Sequence, residues 1–412
     1  MNNKIAVRAA IGIAAILVLF LGYKWFQSWS IDPQLTEKVN TKDFIAAIEL
    51  TKSGGRLVTF SPDGKKTEIV DGKAGTDDRE LSWSPLGNHV YFSSNREDRA
   101  YNIYRWNPQT NTIEKKSKGS RSQSAPRFPT DTLPEAVRAG LIISGGMVFE
   151  FDPRMQTMKQ TVPPLSKDAE ASEDQESGRV EMLSGIYEKL GTAFRTAQWG
   201  PNREVVYGTM RRDGGEVFVR NPLVSDPSGR PPLPAPLFAG DRVEFDTGGN
   251  GVCVAAIRGF QFVDPSNVPE EFLKDGKAVP PYRNAVMLLP ENGQPSMIFT
   301  NPDDSVVFTQ PKLSNDGTYC AMVVGKIENG DFAAEGLIVL PTVPDGASKV
   351  LKLVDGNISS LSWSADGNNI AFILTEEGHR VIYTIGKDGK GLRRVSDPGK
   401  DYRSPIFSPY VE

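Results

Sequence analysis

Histidine is nearly missing from this chain: His89 and His379 are the only two in 412 residues. A catalytic base or a metal centre built on imidazole therefore has little to draw on. Cysteine is as sparse, with Cys253 and Cys320 alone, which excludes a disulfide scaffold and the paired-cysteine spacing of a zinc ribbon. Gly-x-Ser-x-Gly does not occur, so the serine nucleophile of a hydrolase elbow has no motif here. No group of His, Cys, Asp and Glu has ligand spacing, and no cofactor or metal is expected. A basic stripe is missing too. With 47 Lys and Arg against 51 Asp and Glu, the net charge is −4, which gives no reason to expect nucleic acid as a partner.

What the chain does have is a repeat. Residues 81–116 read Leu-Ser-Trp83-Ser-Pro-Leu-Gly87-Asn-His-Val-Tyr-Phe92, a polar loop, then Tyr101-Asn-Ile-Tyr104-Arg-Trp106. Residues 361–395 read Leu-Ser-Trp363-Ser-Ala-Asp-Gly367-Asn-Asn-Ile-Ala-Phe372, a polar loop, then Val381-Ile-Tyr383-Thr-Ile385. In both, Gly falls four residues after Trp and Phe five after Gly. Gly and Asn at that point allow the positive φ of a tight hairpin, so the Trp strand folds back on the strand ending in Phe. The third strand is β-branched and aromatic, and a second turn leads to a fourth. Four antiparallel strands in about 40–45 residues make one propeller blade. Apolar residues at both parities of the second strand (Val90, Tyr91, Phe92; Ile370, Ala371, Phe372) predict a sheet sandwiched between two neighbours.

Trp-Ser-Pro-x-Gly, the aliphatic-aromatic pair, Ser-Asn-Arg96, Ile-Tyr104 and the closing turn resemble the PD40 repeat of TolB-like β-propellers, from about residue 55 to the end. The resemblance implies an all-β propeller whose members make protein–protein contacts through a propeller face or a tethered amino-terminal segment. TolB-family proteins usually carry an α/β domain before the propeller. Here about 30 residues separate the apolar amino-terminal run from the first strands, so a Tol–Pal role is not the expectation.

That run, residues 5–26, is apolar apart from Arg8 and Lys24 and long enough to span a bilayer at about 20 residues. Lys4 and Arg8 lie on its amino-terminal side, and Trp25, Phe26 and Trp29 follow as an interfacial belt. The positive-inside rule puts the amino terminus in the cytoplasm and the propeller outside, periplasmic if the cell has an outer membrane. Cleavage after Ser28-Trp29-Ser30 is the alternative, and the large residues around that site favour a retained signal-anchor. The expected division is a stub and transmembrane helix over 1–30, a tether over 31–43 and the propeller over 44–412.

The repeat pattern starts and stops mid-blade in sequence. Residues 55–70 read as the last strands of a blade, and Tyr402-Arg-Ser-Pro405-Ile-Phe407 as an opening strand that goes no further. Pairing the two ends would close the ring and leave no bare sheet edge. Opening strands at Trp83, Phe128, Trp199, Phe245, Leu313, Trp363 and Phe407 predict seven blades, or six if Phe128 opens none. Cys253 and Cys320 fall in second strands of adjacent blades on opposite sheet faces, leaving either an inter-blade disulfide or two buried thiols open.

Insertions interrupt the repeat at 166–194, 221–238 and 258–284. The first places Val180, Leu183, Tyr187 and Leu190 at helical spacing, a helix for the propeller's own flank or for a partner. The second holds the stiff Pro231-Pro-Leu-Pro234-Ala-Pro236, and the third is long and proline-punctuated. Loops between second and third strands share one face of a propeller and carry Arg96 and Arg99, Arg211 and Arg212, and Arg380. This charged ring is the candidate binding face, against the simpler reading that each arginine serves its own blade. The sum is a membrane-anchored, non-enzymatic interaction module of the cell envelope that contacts another envelope or membrane protein. An accessory subunit of a membrane complex and a ligand sensor or enzyme using the channel are the alternatives.

Overall fold

The computed structural model describes residues 39–410 apart from 63, 69–74, 130–139, 153–156, 163–184, 201–202, 224–232, 249–250, 265, 291–294, 301–304 and 345. The candidate anchor, residues 5–26, lies outside these. Among the described residues no helix is long and apolar enough to cross a membrane.

The strands in order are β1 (Ile45–Thr51), β2 (Gly54–Phe60) and β3 (Lys66–Glu68), then β4 (Asp78–Trp83), β5 (Val90–Ser94), β6 (Asn102–Asn107) and β7 (Thr112–Lys115). Next come β8 (Gly140–Ser144), β9 (Met147–Asp152), β10 (Thr157–Val162), β11 (Ala193–Trp199), β12 (Val205–Arg212), β13 (Gly215–Pro222), β14 (Ala235–Thr247) and β15 (Cys253–Gln261). A small hairpin, β16 (Leu273–Lys274) and β17 (Lys277–Ala278), precedes β18 (Asn284–Leu289) and β19 (Ser296–Thr300). The last are β20 (Val306–Leu313), β21 (Tyr319–Glu328), β22 (Asp331–Pro341), β23 (Leu351–Asp355), β24 (Ile358–Trp363), β25 (Asn369–Glu376), β26 (His379–Gly386), β27 (Arg393–Arg394) and β28 (Asp401–Phe407).

They form antiparallel meanders: β4 to β7, β20 to β23 and β24 to β27 are four-stranded, β8 to β10 three-stranded, and β11 to β19 without the small hairpin seven-stranded. The remaining sheet has the order β28-β1-β2-β3, so the two ends of the described chain share it. The apolar run at residues 44–50 is therefore a strand, held between β2 and β28, with Ile45 opposite both Phe60 and Phe407.

The hairpin chemistry is as the repeat requires. Gly317 and Gly367 have φ of 69° and 66°. Ser314 Oγ donates to Asp316 and accepts from the N–H of Tyr319, and Ser364 repeats this with Asp366 and Asn369. In the first copy Leu86 stands where the aspartate would be, and Asn88 Oδ1 accepts from Ser84 Oγ instead, at 2.6 Å. The aspartates of these two turns thus have a structural role in their hairpins.

Alternate residues of each central strand enter different cores. Val90 and Phe92 pack with Ala46 and Ile48 of the preceding sheet, whereas Tyr91 packs with Ile142 and Phe151 of the following one. All three are fully buried. The sheets are stacked like cards, each with two dry faces, which is why both parities are apolar.

The seven-stranded sheet departs from the regular pattern. Ala235 to Gly240 pair with β13, and Arg242 to Thr247 pair with β15, so β14 is the outer strand of one meander and the inner strand of the next. The part of the 221–238 insertion from Ala235 on is therefore strand. The 258–284 insertion is no open loop either. It holds β16–β17 and rings of Phe260, Phe262, Phe272 and Tyr282 with centroids 4.7–5.8 Å apart. At the Phe128 opening, residues 123–127 make two isolated bridges to β8, Gln123 to Ser144 and Arg127 to Leu141, in place of a strand. Pro126 and Pro129 have no N–H to offer there. Both cysteines are free thiols, fully buried in different clusters, with Cys253 among Phe245 and Met287 and Cys320 among Val254 and Met322.

Candidate functional site

The inner strands meet around a common centre, and the repeat's aromatic residue fastens each to the last. Trp363 Nε1 donates to the carbonyl of Lys312 at 2.8 Å, and Trp83 Nε1 donates to the carbonyl of Ile406 at 3.1 Å. Three residues before the large apolar residue at the strand end (Trp83, Leu313, Trp363 and Phe407), each of four inner strands carries a non-glycine residue with positive φ: Glu80 (46°), Gln310 (52°), Ser360 (57°) and Ser404 (53°). Ladder register breaks at or beside each. Such a bulge turns an N–H out of the ladder. Side chains from the preceding inner strand accept two of these N–H groups, Glu244 from Gln310 and Gln310 from Ser360, and Glu80 accepts the N–H of Ala125, three residues before Phe128.

The carboxylates around the centre are bound in the same way. Asp246 accepts from Lys312 Nζ (2.8 Å), Gln198 Nε2 (3.1 Å) and the N–H of Leu313 (2.9 Å). Glu244 also accepts from Thr309 Oγ1. Burial raises the Glu244 pKa, but the Thr309 hydroxyl, the Gln310 N–H and the guanidiniums of Arg242 and Arg195 outweigh it and hold the group below the ordinary carboxylate value. Glu244 is therefore an anion with its lone pairs engaged, a poor general base.

At the hairpin end of the inner strands lies a cavity of about 330 Å³. Trp83, Trp363, Leu313 and Phe407 line it with their edges, and Arg127, Lys312, Gln198 and Asn315 supply its polar atoms. Asp246 balances Lys312, leaving Arg127 as the exposed charge at this mouth. Among the described residues no three of His, Cys, Asp and Glu stand close enough to hold a metal ion. His89 is buried inside its sheet and His379 lies on the opposite side, 3.7 Å from Asp401.

The predicted arginine face is on that opposite side, and its members differ in kind. Arg96 is not available to a ligand. Its guanidinium lies 2.8 Å from Asp78, both nearly buried, and covers the rings of Phe92 and Tyr104 at 5.0 and 5.2 Å. Asp78 in turn accepts from the N–H of Leu57 in the neighbouring sheet. Arg96→Ala leaves a buried carboxylate unpaired and is expected to lower stability by about 3 kcal/mol, read as a lowered midpoint in urea at unchanged m. An unchanged midpoint would show that Arg96 is a surface residue after all. Arg212 donates to the carbonyls of Val263 and Phe262, tying the aromatic insertion down. Arg380 stands 3.9 Å from Asp401, while Arg99 and Arg211 are exposed.

Of the proposed partner helix, Val180 and Leu183 lie outside the described residues. Residues 185–190 form a helical turn in which Tyr187, 7% exposed, packs against Phe194 and donates its hydroxyl to Asn221 at 2.8 Å. Leu190 packs on the same cluster, so both apolar side chains face the chain's own core.

One group escaped the sequence reading. Arg258 and Arg283 line a cleft of about 490 Å³ on the same side as the arginine face, with Asp241 and Asn284. They bracket the 258–284 insertion, and that position was the available signal.

No family model matches the chain. Solved structures do resemble it. An oligogalacturonate lyase in complex with manganese is 11% identical, with 88% of this chain and 87% of that one covered and a TM-score of 0.51. A protein assigned as a 6-phosphogluconolactonase from Bacteroides uniformis is 12% identical over 89% and 98%, with a TM-score of 0.50. TolB from Acinetobacter baumannii is 13% identical over 90% and 67%, with a TM-score of 0.49. At such identities the likeness is one of fold, and the fold is the β-propeller.

Proposed function

We propose that this chain is a membrane-anchored, extracytoplasmic β-propeller that works by binding another envelope or membrane protein and not by catalysis. The blade count in this reading is seven, with β14 shared between two blades and residues 123–127 as the inner segment of the β8–β10 blade. One observation carries the non-catalytic part. Glu80, Glu244 and Asp246 each accept a backbone N–H from the next inner strand, so the carboxylates that catalysis at the centre would need already serve to join blades. The anchor rests on the apolar run at residues 5–26 and the cations that precede it.

The test is an affinity pull-down from detergent-solubilised membranes with the full chain and with one starting at Asp32. Retrieval of the same envelope protein by both supports binding through the propeller. A stoichiometric membrane partner retrieved only by the full chain makes the protein an accessory subunit whose contact is the anchor. Retrieval of nothing by either sinks the interaction reading. The aromatic-lined cavity beside Arg127 then favours a ligand sensor, or an enzyme acting on a ligand held there.

A further inference from the structure

We propose that Arg258 and Arg283 form a recognition cleft for an acidic peptide segment of the partner, which names the partner chemistry of the interaction reading and rests on it. Other arginines near the inner strands are paired. Arg96 pairs with Asp78, Arg195 with Glu216, Arg242 with Glu216 and Glu244, and Arg403 with Asp77. Arg258 and Arg283 depart from that rule: among the described residues neither guanidinium has an ion pair or a hydrogen bond. Arg283 is exposed, whereas the half-buried setting of Arg258 makes this costly. Arg258 stands directly across the ladder from Arg242, and like charges in that position repel. Glu216 and Glu244 neutralise Arg242, and among the described residues no carboxylate pairs with Arg258.

The walls of the cleft are fixed. Asn284 is 3% exposed, accepts from the Gly259 N–H at 3.2 Å and donates to the Val306 carbonyl at 3.1 Å, which pins both edges of the site. Gly259 has φ of 61°, and a Cβ there would sit 2.0 Å from Asp241 Oδ2, so the glycine lets that carboxylate reach the cleft. Asp241 Oδ1 accepts from Gln261 Nε2 at 2.9 Å, while Oδ2 accepts no hydrogen bond from the described residues. The ring cluster of Phe260 and Tyr282 stands behind the two arginines and keeps the insertion rigid.

The site thus offers two guanidinium forks and one carboxylate oxygen. Guanidinium forks match carboxylates bidentately, and the Asp241 oxygen matches a peptide N–H or an ammonium group. Glutamate or aspartate side chains on a peptide backbone present both. A bare phosphate presents only the first and meets repulsion from Asp241.

The experiment is fluorescence anisotropy with fluorescein-labelled hexaglutamate and the full-length protein in detergent. The expected result is saturable binding that Arg258→Gln with Arg283→Gln weakens about tenfold or more, the loss of a charge-assisted bidentate contact. Arg99→Gln and Arg211→Gln, exposed on the same side, are expected to change it less than about twofold. Thermal midpoints of the variants should not fall below the parent's, since neither cleft guanidinium holds other parts of the fold and Arg258→Gln relieves the repulsion from Arg242. Absence of saturable binding, equal weakening by Arg99→Gln, or better displacement by inorganic phosphate than by free glutamate would each overturn the proposal. If the pull-down retrieves a partner and the double variant retrieves it equally well, the cleft assignment fails while the interaction reading stands. If the pull-down is empty but hexaglutamate binds through the pair, the cleft stands alone.

Discussion

A chain ending at Gly399 is expected to lose its cooperative unfolding transition and to elute as oligomer or aggregate. Without β28, β1 becomes a bare edge of four consecutive apolar residues, Ile45 to Ile48, all buried in the intact fold. Tyr402 (fully buried), Phe407 (8% exposed) and the partly buried Ile406 would be removed with it. At about 1.5–3 kcal/mol for each large side chain returned to water, the loss exceeds about 5 kcal/mol before any ladder hydrogen bond is counted. Domains have about 5–15 kcal/mol in total. The deletion also cuts the Trp83 indole and Ser362 hydroxyl bonds to β28, and with them the two joints that close the circle of inner strands. Thr41, which bonds both the Gly87 carbonyl and Ser408, loses its anchor as well. The measurement is circular dichroism melting with size-exclusion chromatography. A synthetic peptide of residues 399–412 added during refolding should restore the monomer. A truncated chain that melts cooperatively at the parent's midpoint would show that β28 is an ornament.

The second large effect is a dependence on pH that comes from His89. This side chain is 1% exposed, its Nδ1 lies 3.0 Å from Asn88 Oδ1, and its Nε2 has no partner. Asn88 Oδ1 already accepts from Ser84, so the proton belongs on Nδ1. Burial, together with the cations of Arg105 and Lys116, depresses the pKa from 6.5 to about 3, against the opposing pull of Glu114. Above pH 6.5 the folded and unfolded forms are both neutral here and the contribution is complete. Between 6.5 and 3 the unfolded chain takes up a proton that the fold refuses. Stability is therefore lost as pH falls, by about 1.4 kcal/mol per unit and about 5 kcal/mol across the window. Carboxylates such as Glu244 lose stability in acid too, so the quantity to read is the difference between parent and His89→Gln. The variant should be weaker at pH 7.5 and approach or overtake the parent near pH 4.5. Parallel urea-stability curves over that range would mean that the imidazole stays neutral in both states or is charged in both.

The blade could be read from residues alone because hairpin chemistry and strand parity are local. Trp83-Ser-Pro-Leu-Gly87 and Trp363-Ser-Ala-Asp-Gly367 name their turns, and Tyr402 to Phe407 match the start of a copy closely enough to suggest where their partner lies. The shared strand was less legible. Ala235 to Thr247 contain no turn between the outer and inner halves, and pairing with β13 at one end and β15 at the other is decided by tertiary packing. Arginines were read least well. Arg96 looked like a ligand contact and is a buried partner of Asp78, whereas Arg258, inside a ladder, has no ion pair among the described residues. Charge is visible in a sequence, but the strand that brings its counter-charge is not. Glu216 reaches Arg195 and Arg242 only because β11 to β14 lie side by side in one sheet.

The clasp also sets a clock. About 350 residues separate the end of β1 at Thr51 from the start of β28 at Asp401. At about 5–20 residues per second of synthesis, β1 waits roughly 20–70 s for its partner to be made. Through that interval its open edge can recruit any passing strand, including the β1 of a second nascent chain. Yield of this protein in the cell should therefore respond to translation rate and to chaperone supply more than to the stability of the closed ring.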